Sequence, residues 1–324
     1  MRAAAYPPPA AGAAAAPRRR LGRTQSTLVS TSTDLAHTTY LELIASDPAA
    51  QSRHRSCCGA LGTAWLDAPG VGDTALDSET VRMELLVMLG LPLDASAEKA
   101  DGDYVRCACG ALVHRRDAAR HIDSCTGGQA GGGSRDLRHH DMQAGFDPVY
   151  RSMPGARMTG VAREPDVGQV SFTGKPDRHY PPLRLPHPHN AATIMDGVVT
   201  DPCNKTALDG GSATRSGAAA EAAARDKHSA WLRKTPRRPE QMRFVPLAVE
   251  VHGAVCDDVL RLLQVWARGK ASVEVLSGAP DPGEAGDAGA RVQRRAAQFM
   301  TGWLRVLSAH RVRAVNAHRR RLLG

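Results

Sequence analysis

The sequence predicts an α/β (α+β) fold, and three observations carry that expectation. Apolar residues recur at helical spacing between Leu41 and Leu93, short strand-like runs lie between two Gly-rich loops, and an Ala-rich helix, the strand run FVPLAVEV and a helix from about Asp257 to Ala267 follow. Helix, strands, helix, strand, helix is the order of a sheet with helices laid on it. Bulky apolar side chains are scarce: 28 Leu, 24 Val, 3 Ile and 4 Phe stand beside 52 Ala in 324 residues. Such a chain can offset its ordering entropy in one or two small cores but not along its whole length.

Residues 1–40 are expected to be a disordered or targeting extension. No acid occurs from Met1 to Thr33, and Pro7 to Pro9 and Arg18 to Arg20 stand in clusters, a composition shared by organelle transit peptides and by plain unfolded leaders. Residues 41–100 form a helical segment. In TALDSETVRMELLVMLGLPL, Asp77 or Ser78 caps a helix whose Val81, Leu85, Met88 and Leu89 share a face, and Gly90 and Pro92 end it. The loops TGGQAGGGSR, DGGSATRSG and SGAPDPGEAGDAG then punctuate the chain, giving a module at 101–126, an α/β domain at 136–276, a linker at 277–290 and a final helix at 291–324. No internal repeat is visible, and no apolar run reaches the roughly 18 residues a membrane span needs, which excludes an integral membrane protein.

The seven cysteines are odd in number and unevenly spread, which favours a reducing compartment and thiols free to bind metal. In CACGALVHRRDAARHIDSC, Cys107 and Cys109 form a close pair and His121 precedes Cys125 by one helical turn. These three thiolates and one imidazole make a closed, structural zinc set, with His114 as a competing ligand. Four further residues, Glu164, Asp177, Asp196 and Lys227, lie in the α/β part. Carboxylates converging from neighbouring strands hold Mg²⁺ and a nearby lysine orients water; read singly, such residues are equally caps and solvated charges.

The segment from Arg291 to Gly324 holds nine arginines and no acid, so its charge equals the +9 of the whole chain. Val292, Ala296, Phe299, Trp303 and Val306 or Leu307 give it an apolar stripe. Arg294, Arg295, Arg305, Arg311, Arg313, Arg319, Arg320 and Arg321 are the candidate phosphate contacts. A solvated helix packing Phe299 and Trp303 on the core, or one lying on a membrane surface, would carry the same pattern.

Several of these pieces fall in a collinear order: RHRSCCGALGTAWLDAPG, ETVRMELLVMLGLPL, the Cys/His cluster, RHHD, REP, GKPD, MDGVVTDP, DKHSAW and FVPLAVEVHG. From about Ser52 to the final helix, this order resembles the C-terminal region of non-LTR retrotransposon reverse-transcriptase proteins that carry a restriction-like endonuclease. The resemblance implies a PD-(D/E)XK nuclease fold behind a zinc-binding element, without the polymerase: the single Asp-Asp pair, Asp257-Asp258, falls at a helix start and reads as a cap. It also implies that Cys107, Cys109, His121 and Cys125 ligate zinc, that Asp177 and Asp196 hold the catalytic Mg²⁺, and that Lys227 replaces the lysine of the strand position occupied by Val198. Glu164 is a further metal ligand on the same reading. His139 and His140 of RHHD fall on a family motif at the nuclease entrance, although a helix-start role with Asp141 explains them as well. Eighteen residues separate Asp177 from Asp196, and the excess is the Pro- and His-rich PPLRLPHPHNAAT.

The expected function is a retrotransposon-derived, Mg²⁺-dependent DNA endonuclease whose nick leaves a 3′ hydroxyl able to prime reverse transcription. DNA is the expected partner, RNA a further one, and the nucleus the expected location, with an organelle as the alternative if the N-terminus is a transit peptide. The competing expectations are a catalytically silent, zinc-containing nucleic-acid-binding module and an inert remnant of an element.

Overall fold

A computed structural model describes residues 16–93, 100–125, 138–156, 162–163, 177–183, 185, 191–234, 242–278 and 287–323. The chain divides into Met1–Asp47 and Pro48–Gly324. The first unit contains helix α1 (Ala16–Leu43), which lies largely within the disordered or targeting extension expected over 1–40; residues 1–15 lie outside the described residues. Pro17 sits in the first turn, where its missing N–H costs no hydrogen bond. Leu35, Leu41 and Leu43 are exposed, in keeping with a stretch that builds no core.

The second unit is a mixed α+β body. Helix α2 (Pro48–Cys57) and two 3₁₀ turns lead to α3 (Ser78–Met88), capped by the Asp77 side chain, which accepts from the Thr80 N–H. The face expected to be buried is not the one that is. Thr80, Met83, Glu84 and Val87 point inward, while Leu85 and Leu89 are exposed. The inward face joins Met83 and Val87 of an apolar cluster to Glu84, which pairs with two buried arginines, while Val81 and Met88 are half-buried.

A small antiparallel sheet follows, of β1 (Ala100–Asp101), β2 (Tyr104–Arg106) and β3 (Leu112–His114), closed by the short helix α4 (Ala118–Ser124). Its turn is a knuckle in which the Cys107 N–H donates to Ala111 and Gly110 adopts φ +89°, a region glycine enters without Cβ strain. Next come α5 (residues 138–144) and α6 (Phe146–Arg151).

The main sheet runs β4 (Ala162–Arg163), β5 (Arg178–Tyr180), β6 (Ala192–Thr200), β7 (Met242–Glu250). The first two pairings are antiparallel and β6–β7 is parallel, so the chain between β6 and β7 must cross over, and α7 (Lys205–Asp209) and α8 (Ala218–Lys234) lie in that crossover. Alternation assigns the faces. Tyr180 meets Tyr150 of α6 and Trp266 of α9 (Asp257–Ser277) on one side, while Phe244 stacks on Trp231 of α8 on the other, with ring centroids 4.5 Å apart. Buried on both faces, β6 and β7 are continuous apolar runs, which is why both are visible in the sequence.

Helix α10 (Ala288–Leu323) is the spine of this unit, not an appended arm. It begins three residues before the expected Arg291, with the Asp287 side chain accepting from the Ala290 N–H, so the expected 277–290 linker is helical at its end; residues 279–286 lie outside the described residues. Its Ala296, Trp303 and Leu307 pack into the main core, as the stripe predicts. Its last turn enters a second core with Met83, Val87, Val105, Ile122 and the cysteines of the small sheet, where the Ala108 N–H donates to Leu322.

Candidate functional site

Strand alternation brings the expected acidic pair together. Asp196, in the middle of β6, faces α8, and Asp177, immediately before β5, faces the same way across the antiparallel register that sets Arg178 opposite Met195. The two residues stand opposite one another, one position beyond the Arg178–Met195 pair, and their carboxyls perturb each other's ionisation despite the 18-residue excursion between them. From α8, Lys227 Nζ reaches Asp196 Oδ1 at 2.7 Å. Asp177 Oδ2 accepts from the Gly197 N–H at 2.6 Å and lies 2.7 Å from His139 Nε2 of α5; the same nitrogen lies 2.7 Å from the Gln143 side-chain nitrogen, so it either donates to Asp177 or accepts from Gln143. Glu164 lies outside the described residues, as do His187 and His189.

The two carboxyls titrate in opposite directions. Burial works against the charge of Asp177, but His139, Asp196 and the Gly197 N–H hold it below the usual carboxylate range. Burial and the proton shared with Asp177 raise Asp196 to about 6, against the pull of Lys227. Like charges this close resist double ionisation, and the standard remedy is a cation between them. Hard oxygen donors from two strands, poised in this way and partly open to solvent, fit Mg²⁺.

His139 is a participant that sequence reasoning set aside in favour of a helix-start role. Its signal was its place in RHHD, but only the fold could show that α5 ends its first turn against Asp177.

The second constellation is a candidate metal centre. Cys107 and Cys109 come from the β2–β3 knuckle and His121 and Cys125 from α4, and their ligand atoms all lie within 4.8 Å of one another. Cys107 and Cys125 sulfurs are 3.7 Å apart and Cys109 Sγ is 3.3 Å from His121 Nε2. Tetrahedral zinc, with bonds of about 2.3 Å to sulfur and 2.0 Å to nitrogen, sets edges of about 3.5–3.8 Å. Burial and the neighbouring thiols push Cys107 up to about 12, a cost that a divalent cation removes by stabilising the thiolate. Burial also lowers His121, keeping its imidazole neutral, the form that ligates. His114, the competing ligand, is turned away: its ring meets Tyr104 and its Nδ1 accepts from the Arg116 N–H.

The arginines of α10 divide. Arg311 and Arg319 are fully buried and unavailable to phosphate, which corrects their assignment as nucleic-acid contacts. Arg319 forks onto both oxygens of Asp123 at 2.8 Å and reaches Glu84 at 2.9 Å; Arg311 lies 2.7 Å from Glu84 and donates to the Val251 carbonyl. Arg313 donates to Ala75, Arg320 engages Asp77 and Thr80, and Arg295 pairs with Glu274. Arg294, Arg305 and Arg321 retain surface exposure. A pattern of basic residues cannot reveal this division, because the acids that claim Arg311 and Arg319 lie about 200 residues away in sequence.

Two further acidic groups hold local structure, and the cap expected at Asp257-Asp258 falls one residue earlier. Asp257 and Asp258 form the first turn of α9, whose N-cap is Cys256, and Glu221 accepts from the Asp257 N–H. Glu250 is buried and accepts from the Ala219 and Ala220 N–H groups, closing the start of α8. No described helix is long and apolar enough to cross a membrane. Comparison with protein-family models, curated proteins and solved structures returns no match to this chain.

Proposed function

We propose that this chain is a Mg²⁺-dependent DNA endonuclease of the PD-(D/E)XK type, of the kind carried by non-LTR retrotransposons, with a structural zinc held by Cys107, Cys109, His121 and Cys125. The observation that carries the reading is the convergence of Asp177, Asp196 and Lys227 on the α8 side of a mixed sheet. The sheet that presents these residues, two antiparallel pairings followed by a parallel pair around a crossover helix, is of the mixed α+β class.

Asp177 and Asp196 would hold the ion, which supplies Lewis-acid stabilisation of the charge that builds on the phosphate. The chain's own groups do the rest. His139 and the Gly197 N–H fix the orientation of Asp177, so the carboxylate pays little entropy when it binds. Lys227 brings an ammonium to the side of Asp196, where it orients water for attack and offsets negative charge. The accessible arginines of α10, foremost the exposed Arg321 and the half-buried Arg305, attract the backbone without reading bases.

The test is nicking of supercoiled plasmid with and without Mg²⁺, on zinc-loaded protein, alongside Asp177→Ala and Asp196→Ala. Mg²⁺-dependent nicking lost in both variants, with zinc content unchanged, supports the reading; equal nicking by either variant overturns the site. One observation favours a silent binding module instead: Val198 fills the usual lysine position of the strand, and Lys227 is already tied to Asp196. Folded, zinc-loaded protein that binds DNA but never nicks it decides for that module.

A further inference from the structure

A second group of metal-ligating side chains shares no ligand with either site. Asp201 and Cys203 sit in the turn after β6, and His252 sits in the turn after β7. The two strands are parallel and in register to their ends, Thr200 opposite Glu250, so the turns leave the sheet side by side. The Val251 N–H donates to Thr200 and extends the pairing to His252 itself. Gly253 shapes the second turn at φ +114°, and a Cβ there would come within 2.4 Å of Gly62. His252 is therefore held rigidly against the first turn.

All three side chains are at least nine-tenths buried, and their ligand atoms lie within 4.8 Å of one another. Cys203 Sγ is 3.8 Å from His252 Nε2, close to the tetrahedral edge of about 3.6 Å that zinc sets between sulfur and nitrogen. Asp201 spends one oxygen on the Cys203 N–H at 2.8 Å. Its other oxygen, Oδ2, is buried with no hydrogen-bond partner, and so is His252 Nδ1. An orphaned carboxylate oxygen in the interior is expensive, and beside the Cys203 sulfur and His252 Nε2 a cation is the partner that satisfies Asp201 Oδ2, with His252 Nδ1 on the far side of the ring. A carboxylate, a thiol and an imidazole together exclude Mg²⁺ and Ca²⁺, which take oxygen alone, and suit a borderline divalent cation.

We infer that Asp201, Cys203 and His252 form a second zinc-class metal site, which clips the turn after β6 to the turn after β7. Three protein ligands leave a fourth position. Asp201 and Cys203 line a cavity of about 620 Å³ that is also bordered by Arg120, His121, Asn204 and Lys205, which gives the ion a route in and a water a place to complete the tetrahedron. The site is independent of the nuclease reading, since its role is to fix the ends of the parallel pair β6 and β7.

The experiment counts metal in the full chain. In Asp177→Ala protein, chosen so that the acidic pair does not retain zinc, mass-spectrometric analysis after dialysis is expected to find about two zinc ions per chain. Cys203→Ala or His252→Ala in that background should reduce this to about one, and Cys109→Ala should do the same from the other site. In Co²⁺-loaded protein, thiolate-to-metal charge-transfer absorption should fall by about a quarter in Cys203→Ala, because one of four ligating thiolates is lost. About one zinc per chain in the parent, with both readouts unchanged by Cys203→Ala, overturns the site. Should the alanine variants not fold, the parent's count and Asp201→Asn decide: weakened retention of one of two zinc ions supports the site, and a single ion unaffected by Asp201→Asn overturns it. Nicking activity has no bearing on either count, so this inference and the endonuclease reading fail separately.

Discussion

Two clusters in the Pro48–Gly324 unit are built from the same materials, carboxylates and cations, and have opposite character. Around Glu84 and Asp123, two acids meet two arginines, and every member is 0–1% exposed. Around Asp177 and Asp196, two acids meet one lysine and a histidine, and the side chains keep 15–30% exposure. In the first cluster each charge lies against an opposite one, although Arg311 Nε and Glu84 Oε1 have no hydrogen-bond partner. Burial opposes ionisation of Glu84, and Arg311 and Arg319 overcome it, keeping the carboxylate below its usual range. In the second the acids compete with one another, and Asp196 is left near 6. Balance and closure mark a cluster that holds the fold; imbalance and access mark one that awaits something from outside.

The largest expected effect tests the open cluster. Asp177→Ala or Asp196→Asn should remove several kcal/mol of charge stabilisation and lower the plasmid-nicking rate by about 10³-fold or more. Thermal melting should not fall for Asp196→Asn in metal-free protein, since the change relieves like-charge crowding. The closed cluster should respond the other way. Glu84→Ala leaves the buried Arg311 without its acid and removes one of the two acids of Arg319, and should cost about 3–5 kcal/mol of stability in denaturant titration. The sign with pH follows from the depressed carboxylate: its stabilisation is present above the unfolded pKa and is lost as pH falls through the folded one. Glu84→Gln should therefore flatten the acid limb of the stability profile, and an unchanged acid limb would contradict the balance argued here.

The same contrast explains what was legible in the sequence. Strands β6 and β7 and helices α8 and α9 announce themselves because each is specified locally, by apolar runs or Ala-rich stretches between turn residues. The Cys107/Cys109/His121/Cys125 set is legible for the same reason, its spacing falling within one knuckle and one short helix. Glu84 was not. An acid on an amphipathic helix reads as its solvent face, and only α10, more than 200 residues later, supplies the arginines that turn it inward. The inward face of α3 and the buried pair on α10 were therefore misread together, as one error seen from two ends.

His139 sharpens the comparison at intermediate size. As a group that orients Asp177 without holding the ion, it should resemble an outer-shell partner, and His139→Ala should lower Mg²⁺ affinity or nicking about 10–100-fold. Asp196 adds a pH signature. Its proton must leave before an ion can bind, so apparent Mg²⁺ affinity should fall about tenfold per pH unit below 6 and level off above it. Calorimetric titration across that range checks the sign, and affinity independent of pH would mean that Asp196 is not a ligand.

The smallest expected effect separates arginines on a single helix. Arg305 and Arg321 carry no hydrogen bond or ion pair among the described residues, whereas Arg311 and Arg319, on the same α10, are locked to Glu84 and Asp123. Each phosphate neutralised releases counterions, so the slope of log affinity against log salt counts the arginines that touch the backbone. Arg305→Gln with Arg321→Gln should reduce that slope by about 2 on duplex DNA while leaving the melting temperature in place. Arg319→Gln should do the reverse, lowering stability through the uncompensated Asp123 and Glu84 without altering the slope of whatever protein remains folded. Were Arg319→Gln to change the salt slope of a fully folded protein, the buried arginine would have to reach DNA by leaving its acids, and α10 would be a mobile arm after all. The bidentate fork onto Asp123 argues against that, because releasing it exposes two charges for each one gained at the phosphate.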